Sequence, residues 1–565
     1  MLSFLTACRP RRRKGQQQHQ QTQQQQHHQE PNWKEIEEKA SHLPTHPSYH
    51  TPTPNSTLFE TFEWHTPSSA SSRHYPRLRA ALPALHAAGI TDIWLPPGCK
   101  GMDAHGNGYD IYDLYDLGEF EQKGATSTKW GSRGELEELL GVARELGVGV
   151  VWDAVLNHRA GADGCEAFEA VRVREGRRDI ETGPALEING WTRFDFPGRG
   201  STYSTQKYNW NHFSGVDWDD KRQEKAIFKI RGAHKTGWAD DVGKENGNYD
   251  YLMFADVDYA NAEVRADVLR WGAWISSLLS LKGMRLDAAK HFSMGFQREF
   301  IDHVRRETDA EFWVMGEYWS GDVKELVGYL EEMEYRVSAV DVPLVVNFSR
   351  LSRTPGADLR RVLEGTLVEC RPDNALSEER LIDEQTFVAN HDTQPGQMLE
   401  NVVSPQFKPL AYALILLRKG GQPCVFYGDL YGVNHGDKPL TPACEGKLPL
   451  LTRTRQLYAY GEQQDYFDQP NCIGFIRYGN ALHPSGLACV LSNGAAAQKR
   501  MYVGANHGHE KWTDVLHDEA RPVVIDESGY GVFPVPRMGV SVWVNAAAPG
   551  RDSLALPFDA NIYQH

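Results

Sequence analysis

Four short segments of this sequence carry residue types that a core strand would not choose. They are Asp153-Ala154-Val155-Leu156-Asn157-His158, Arg285-Leu286-Asp287-Ala288-Ala289-Lys290-His291, Gly316-Glu317-Tyr318-Trp319 and Val388-Ala389-Asn390-His391-Asp392. Each reads as the end of a buried strand breaking into a loop. In the second, Leu279, Leu281, Met284 and Leu286 are apolar around Gly283, and a cation, a carboxylate, a second cation and an imidazole follow. Arg285 lies two residues before Asp287, so strand alternation puts both on one face. There the guanidinium would hold the carboxylate ionised at neutral pH and fix its direction. A strand end is a rigid platform, and in parallel α/β folds chemistry gathers at the carboxyl ends. A structural Arg–Asp pair explains the second segment equally well when it is taken alone. Any one carboxylate could likewise be a solvated or capping group. Three carboxylates, two histidines and an arginine on successive strand ends are hard to explain as packing.

The elements that must position these groups alternate in type. Arg77 to Ala88 has helical spacing and ends at Gly89, and Ile90 to Leu95 is a buried strand stopped by Pro96-Pro97-Gly98. A helix over Glu135 to Leu146 leads to the run Val148 to Asp153. The pattern resumes with a helix over Glu263 to Leu279, a strand to Asp287, a helix over Gly295 to Arg306 and a strand over Phe312 to Glu317. Next come a helix from Asp322, a strand near Val340, a strand at Phe387 to Asn390, and Val425-Phe426-Tyr427. With the aromatic strand at Thr57 to Trp64, this makes about eight strand–helix units, the number that closes a (β/α)8 TIM barrel. Asn157 to about Asp258 breaks the alternation; it is rich in Gly, Trp, Asp and Asn, has only short strand-like pieces, and reads as an insertion after the third strand. Beyond Gln464, short runs such as Gly474 to Tyr478 and Val540 to Val544 suggest a C-terminal antiparallel β-sandwich. The expected divisions are a leader and linker at 1–55, barrel at 56–156, insertion at 157–258, barrel at 259–464, β-domain at 465–548 and a tail at 549–565.

Composition narrows the function. The chain has 565 residues, 40% apolar, with 15 Trp, 23 Tyr and 22 Phe, an aromatic surplus that suits stacking on sugar faces as well as a large core. Sixty basic against 75 acidic residues leave a net charge of −15, which disfavours a nucleic-acid partner. No apolar run approaches the roughly 20 residues of a membrane helix. The eight cysteines are dispersed without zinc-like spacing, as free thiols in a reducing compartment would be. Met1 to Cys8 is apolar but short, and Arg9 to Lys14 follow it, the reverse of a secretory signal. Palmitoylation of Cys8 beside that basic cluster would rest on one residue, and Gln16 to Gln29 is a low-complexity Gln/His tract.

In order and spacing, the four segments resemble the four sequence regions of the α-amylase family of glycoside hydrolases, closest to the bacterial liquefying type. The resemblance spans about Thr57 to Val544. Gly108 to Leu114, Phe196 to Tyr203, Glu245 to Met253, Phe407 to Tyr412, Val425 to Asp429 and Lys499 to Gly504 support it. It implies a barrel with a domain B inserted after strand three and a C-terminal β-domain. It also implies that Asp287 is the nucleophile, Glu317 the acid/base and Asp392 the stabiliser of the transition state. Retaining hydrolysis sets two such carboxyls roughly 5–5.5 Å apart and in opposite ionisation states. Arg285 would lower the pKa of Asp287, while Tyr318, Trp319 and nearby carboxylates would raise that of Glu317. By the same resemblance His158 and His391 hydrogen-bond sugar hydroxyls, Tyr109 stacks under the reacting sugar, and Lys290 and Trp319 contact the leaving-group side.

The resemblance further implies one principal calcium ion (Ca2+), held by Asn157, Asp250, Asp256 and the backbone carbonyl of His291. All-oxygen ligands suit that hard cation, although Asp250 and Asp256 could simply cap turns. Ser214 and Ala239 stand where close liquefying relatives carry further metal-binding carboxylates, and Pro470 and Asn471 replace a pair near the C-terminal domain. Extra calcium or sodium is therefore not expected, thermal resistance should be lower, and Asp258 should be an orphan of the lost cluster. The substrate expected is starch, glycogen or maltodextrin, cut internally at α-1,4 bonds. A glucanotransferase of the same family, or a catalytically silent α-glucan-binding protein, are the alternatives. A cytoplasmic monomer is expected, and the leader is more like that of a eukaryotic, fungal-like intracellular member than of bacterial ones.

Overall fold

Side-chain caps mark where the barrel helices start. Ser132 forms a reciprocal capping box with Glu135, and Asn261, Ser293, Asp322 and Asp341 each accept from a backbone N–H of a first helical turn. These oxygens satisfy donors that a helix start leaves without a partner. The computed structural model describes residues 55–69, 73–370, 384–434, 436, 439–555 and 557–564. The leader up to Pro54, including Cys8, lies outside the described residues.

The eight barrel strands are β1 (Leu58–Glu60), β2 (Asp92–Trp94), β3 (Gly149–Ala154), β4 (Gly283–Leu286), β5 (Trp313–Gly316), β6 (Ser338–Val340), β7 (Glu384–Phe387) and β8 (Gln422–Phe426). Each pairs in parallel with its neighbour in sequence, and β1 pairs with β8, so the sheet closes on itself. The helices between them are α1 (His74–Ala87), α2 (Arg133–Leu146), α3 (Ala262–Leu279), α4 (Met294–Glu307), α5 (Val323–Glu332), α6 (Val342–Arg353) and α7 (Lys408–Leu417), with α8 (Leu448–Tyr458) after β8. The order is that of a (β/α)8 barrel, so the carboxyl ends of all eight strands share one rim.

Strand β7 stops at Phe387, three residues before the expected end. The Asn390 side-chain oxygen accepts from the backbone N–H groups of Asp392 and Thr393, and this local turn takes the chain out of the sheet. The segment between β3 and α3 forms a six-stranded antiparallel sheet, not a set of short pieces. Its largest unit is a hairpin of Gly164–Arg174 against Arg177–Arg193, 11 and 17 residues long. Much of the second strand faces solvent, so its Glu, Arg, Thr and Asn residues hide the apolar alternation that marks a half-buried strand.

The C-terminal region forms one six-stranded and one two-stranded antiparallel sheet around a core containing Ile476, Val490, Met501, Trp512, Phe533 and Trp543. Among the described residues, Cys99, Cys165, Cys370, Cys424, Cys444, Cys472 and Cys489 are free thiols, and no helix is long and apolar enough to cross a membrane.

Candidate active site

Arg285 is the centre of the rim. It is buried at the end of β4, and its Nη1 lies 2.7 Å from Asp153 Oδ1 and 3.0 Å from Asp287 Oδ1, while Nη2 lies 2.6 Å from Glu317 Oε1. The register explains the convergence. Leu286 on β4 is paired with Ala154 on β3 and Gly316 on β5, so Asp287 and Glu317 each follow a paired position on adjacent strands. Ala288 has φ 51°, a left-handed conformation that non-glycine residues rarely adopt. It aims its N–H at Glu317 Oε2, 2.9 Å away.

The fourth segment closes the site from β7. His391 is 2.8 Å from the Tyr109 hydroxyl through Nε2, and the same nitrogen lies 3.2 Å from Asp392 Oδ2. Tyr109 and Trp94 both donate to Asp153 Oδ2, at 3.0 and 3.1 Å. The Tyr109 ring lies nearly parallel to those of His391 and Trp64, with centroids 5.2 and 6.0 Å away. His158 lies beside Tyr109, whose carbonyl oxygen is 2.7 Å from Nε2. Lys290 donates to Glu245 Oε1 at 2.6 Å and to the Trp319 carbonyl at 2.9 Å.

Electrostatics divide these groups. Burial pushes the Asp287 carboxyl well above the usual carboxylate range; Arg285 opposes this, and Glu317, Asp153 and Asp392 add to it. Arg285 does lower Asp287, but the net direction overturns the expectation that it holds the carboxylate ionised: the guanidinium is shared among three acids and does not offset the loss of water. Burial likewise raises Glu317, with Arg285 opposing and Asp392 reinforcing. Two coupled carboxyls raised together retain a proton at a pH where isolated ones have lost it. Asp392 is the opposite case: burial disfavours its charge, but His391 holds it below the ordinary value. Burial also disfavours charge on His391, yet Asp392 and Glu60 raise it to about 10. His158 is driven down to about 4 by burial and is therefore neutral near pH 7.

Next to the rim, Asn157, Asp250 and Asp256 are all buried. Asp256 lies on the short strand Ala255–Val257, and Val257 N–H donates to the Asn157 carbonyl at 3.0 Å. Asn157 Oδ1 and Asp256 Oδ1 have no hydrogen-bond partner among the described residues. Burial raises Asp250 and Asp256 well above the usual range, and Asp256 is raised further by Asp250. Ser214 donates its hydroxyl to Asp256, and Ala239 N–H donates to Asp250 Oδ2 at 3.0 Å. His291 places Nδ1 2.8 Å from the Tyr249 carbonyl, so its ring is turned to the protein and only its backbone oxygen remains a candidate ligand. Among the described residues no three His, Cys, Asp or Glu side chains form a metal cage. Two crowded carboxylates with unpartnered amide and carboxylate oxygens nevertheless fit a hard cation completed by carbonyls. Asp258 is not an orphan: Lys235 Nζ lies 2.7 Å from its Oδ2. Pro470 and Asn471 make local contacts, with Leu359 N–H on the Pro470 carbonyl at 2.7 Å and Asn471 on Asn493 at 3.2 Å.

Residues 79–439 match the family described as alpha amylase, catalytic domain, and residues 487–544 match the alpha-amylase C-terminal family. The chain belongs to the α-amylase family. It is 43% identical over 495 residues to a glucan 1,4-alpha-maltohexaosidase of Bacillus sp. strain 707, covering 87% of this chain and 92% of that one. It is 39% identical over 500 residues to the cytoplasmic alpha-amylase of Escherichia coli K12, covering 87% and 99%. The fold is shared with a solved Anoxybacillus alpha-amylase at TM-score 0.59 and 16% identity, covering 88% and 98%.

Within this α-amylase-family site, the sequence does not predict Glu60, Trp64, Trp94 or Glu245 as site residues, and Asp153 enters only as part of a polar segment. Glu60 had a legible signal, being a carboxylate at the end of the otherwise apolar Leu58–Glu60 strand. Trp64 and Trp94 had none, because an aromatic near a strand end reads equally well as core.

Proposed function

We propose that the chain hydrolyses internal α-1,4-glucosidic bonds of starch, glycogen or maltodextrins with retention of configuration. Asp287 attacks the anomeric carbon while Glu317 gives its proton to the departing oxygen, leaving a glycosyl ester on Asp287. Glu317 then takes a proton from water, which attacks the same carbon and releases Asp287. The observation that carries this reading is one buried guanidinium bridging two carboxyls at adjacent strand ends, with both raised in proton affinity. Such a pair can share one proton at the pH of catalysis. Asp392, held ionised by His391, faces the positive charge that develops on the sugar. Tyr109 is the ring for stacking, and His158, Lys290 and Trp319 are substrate contacts.

Asn157, Asp250, Asp256 and the His291 carbonyl would hold calcium, whose charge would fix the inserted sheet against the rim. A cytoplasmic location is supported by the Escherichia coli relative. A glucanotransferase differs only in using a sugar hydroxyl in place of water, and the product ladder from one maltooligosaccharide separates the two. A silent glucan-binding protein would be expected to lack at least one of the three acids, and all are present. The test is reducing-end release by Asp287→Asn and Glu317→Gln, each expected to lose at least about 10³-fold in kcat. The first anomer released by the wild type should be α by NMR. Undiminished activity of either variant, or a β product, overturns the mechanism.

A further inference from the structure

Beneath the rim is a buried carboxylate that the reaction as written does not use. Glu60 ends β1, is fully buried, and has its Oε1 2.6 Å from His391 Nδ1 and 3.2 Å from the His391 backbone nitrogen. One oxygen receiving both a ring and a backbone N–H favours the carboxylate form. The other oxygen, Oε2, has no hydrogen-bond partner among the described residues. Glu60 also lines a cavity of about 20 Å³, together with Trp94, Arg285, Glu317, Asn390 and Cys424. That volume is enough for one water molecule, so the carboxylate can be partly solvated without reaching bulk solvent.

His391 is therefore gripped at both ring nitrogens. Glu60 takes Nδ1, and Nε2 faces Asp392 and the Tyr109 hydroxyl. Phe62, Trp94 and Tyr109 surround the ring at centroid distances of 4.8, 5.7 and 5.2 Å, which leaves it little rotational freedom. We propose that Glu60 is a positioning residue for the glycosidic reaction: it keeps His391 doubly protonated and its Nε2–H directed toward Asp392 and the sugar. This rests on the reading that Asp392 and His391 belong to the sugar-binding site.

A neutral His391 could present Nε2–H only in one tautomer, and would lose its hold on the charge of Asp392. Burial raises Glu60 while His391 and Arg285 oppose it, and burial of His391 is outweighed by Asp392 and Glu60. The titratable and charged groups facing the pair are Asp392 on the same loop, Tyr109 after β2, Arg285 on β4, Glu317 on β5 and Cys424 on β8. None of the others touches His391 Nδ1 in the way Glu60 does.

The test compares full-length wild type with Glu60→Gln, which keeps shape and an acceptor but removes the charge. kcat and KM on a soluble maltooligosaccharide are followed against pH, with thermal unfolding alongside. The alkaline limb of Glu60→Gln should move at least one pH unit toward neutrality, about a tenfold loss of kcat relative to wild type on that limb. KM should change much less. An unshifted profile, or a loss equal at every pH, overturns the proposal. Should Glu60→Gln fail to fold, ring ¹⁵N signals of wild-type His391, assigned by their loss in His391→Asn, decide instead. Both nitrogens must carry protons at about pH 8, and a neutral ring there overturns the proposal. Asp287→Asn run in parallel separates the two readings: its full activity would refute the glycosidase mechanism, whereas the His391 signals report on the protonation of the ring whether or not Asp287 is the nucleophile.

Discussion

The catalytic rim and the adjacent Asp250–Asp256 cluster solve one problem in two ways. Both bury carboxylates that water would otherwise stabilise. At the rim, Asp153, Asp287 and Glu317 surround Arg285, and Glu60 and Asp392 flank His391, so the compensating charges are part of the chain. In the neighbouring cluster Asp250 and Asp256 make no ion pair among the described residues and receive only a backbone N–H and a serine hydroxyl. The contrast fits the roles proposed for the two clusters. A carboxyl that must exchange a proton and bond to carbon needs a cation that stays when substrate arrives. A carboxylate that only joins two sheets can take an exchangeable one.

The comparison is broken most severely at Arg285. Lysine offers a point charge in place of a planar fork and cannot bridge three acids at once. Arg285→Lys should lose on the order of 10³-fold in kcat through misplaced carboxyls, and Arg285→Met should be destabilised by about 3–5 kcal/mol because buried charges are left unpaired. Steady-state kinetics and urea midpoints measure the two effects. A lysine variant within tenfold of wild type would mean that the guanidinium merely packs.

The opposite manipulation removes the proposed calcium. Chelation should lower the unfolding midpoint, since an ion present at a hundred times its Kd adds about 2.7 kcal/mol to the folded state. Ser214→Asp would bring a further carboxylate to Asp256. It should lower stability in chelator and raise it in excess calcium, so that the calcium-dependent difference in melting temperature grows. Equal melting curves of the wild type with and without chelator would exclude a structural ion at this cluster.

How much of this could be seen in the sequence depends on whether neighbouring residues or distant ones decide the feature. The barrel was legible because helical spacing such as that of Glu135 to Leu146 and apolar strands such as Val150 to Trp152 are local signals. The polar strand ends named the groups that Arg285 gathers. The long hairpin at Gly164–Arg193 was not legible, since one of its strands is largely solvent-facing and its partner is unknown until the sheet forms. The direction of the Asp287 shift was missed for a related reason. Arg285 is two residues away in sequence, but the acids competing for it, Asp153 and Glu317, come from other strands. Asp258 looked unpaired because Lys235 is 23 residues away, within the same inserted segment.

Lys235 sharpens the comparison with a smaller effect. Its ammonium lies 2.7 Å from Asp258 Oδ2 and donates to the carbonyls of Asn211 and Phe213 at 2.6 and 2.7 Å, an all-oxygen setting of the kind a metal ion would take. Here the inserted sheet uses the rim's solution, a cation fixed to the chain, within the same segment as the proposed metal cluster. Lys235→Met should leave Asp258 and two carbonyls without their cation and cost a few kcal/mol in the absence of divalent ions. In a chain of this length each kcal/mol moves the melting temperature by only about 1–2 °C, so the expected loss is several degrees. Added calcium should recover part of it, and recover more in the variant than the same calcium adds to wild type, because the freed oxygens form a second site. Thermal unfolding across a calcium titration measures this, and parallel calcium responses in the two proteins would show that Lys235 does not stand in for an ion.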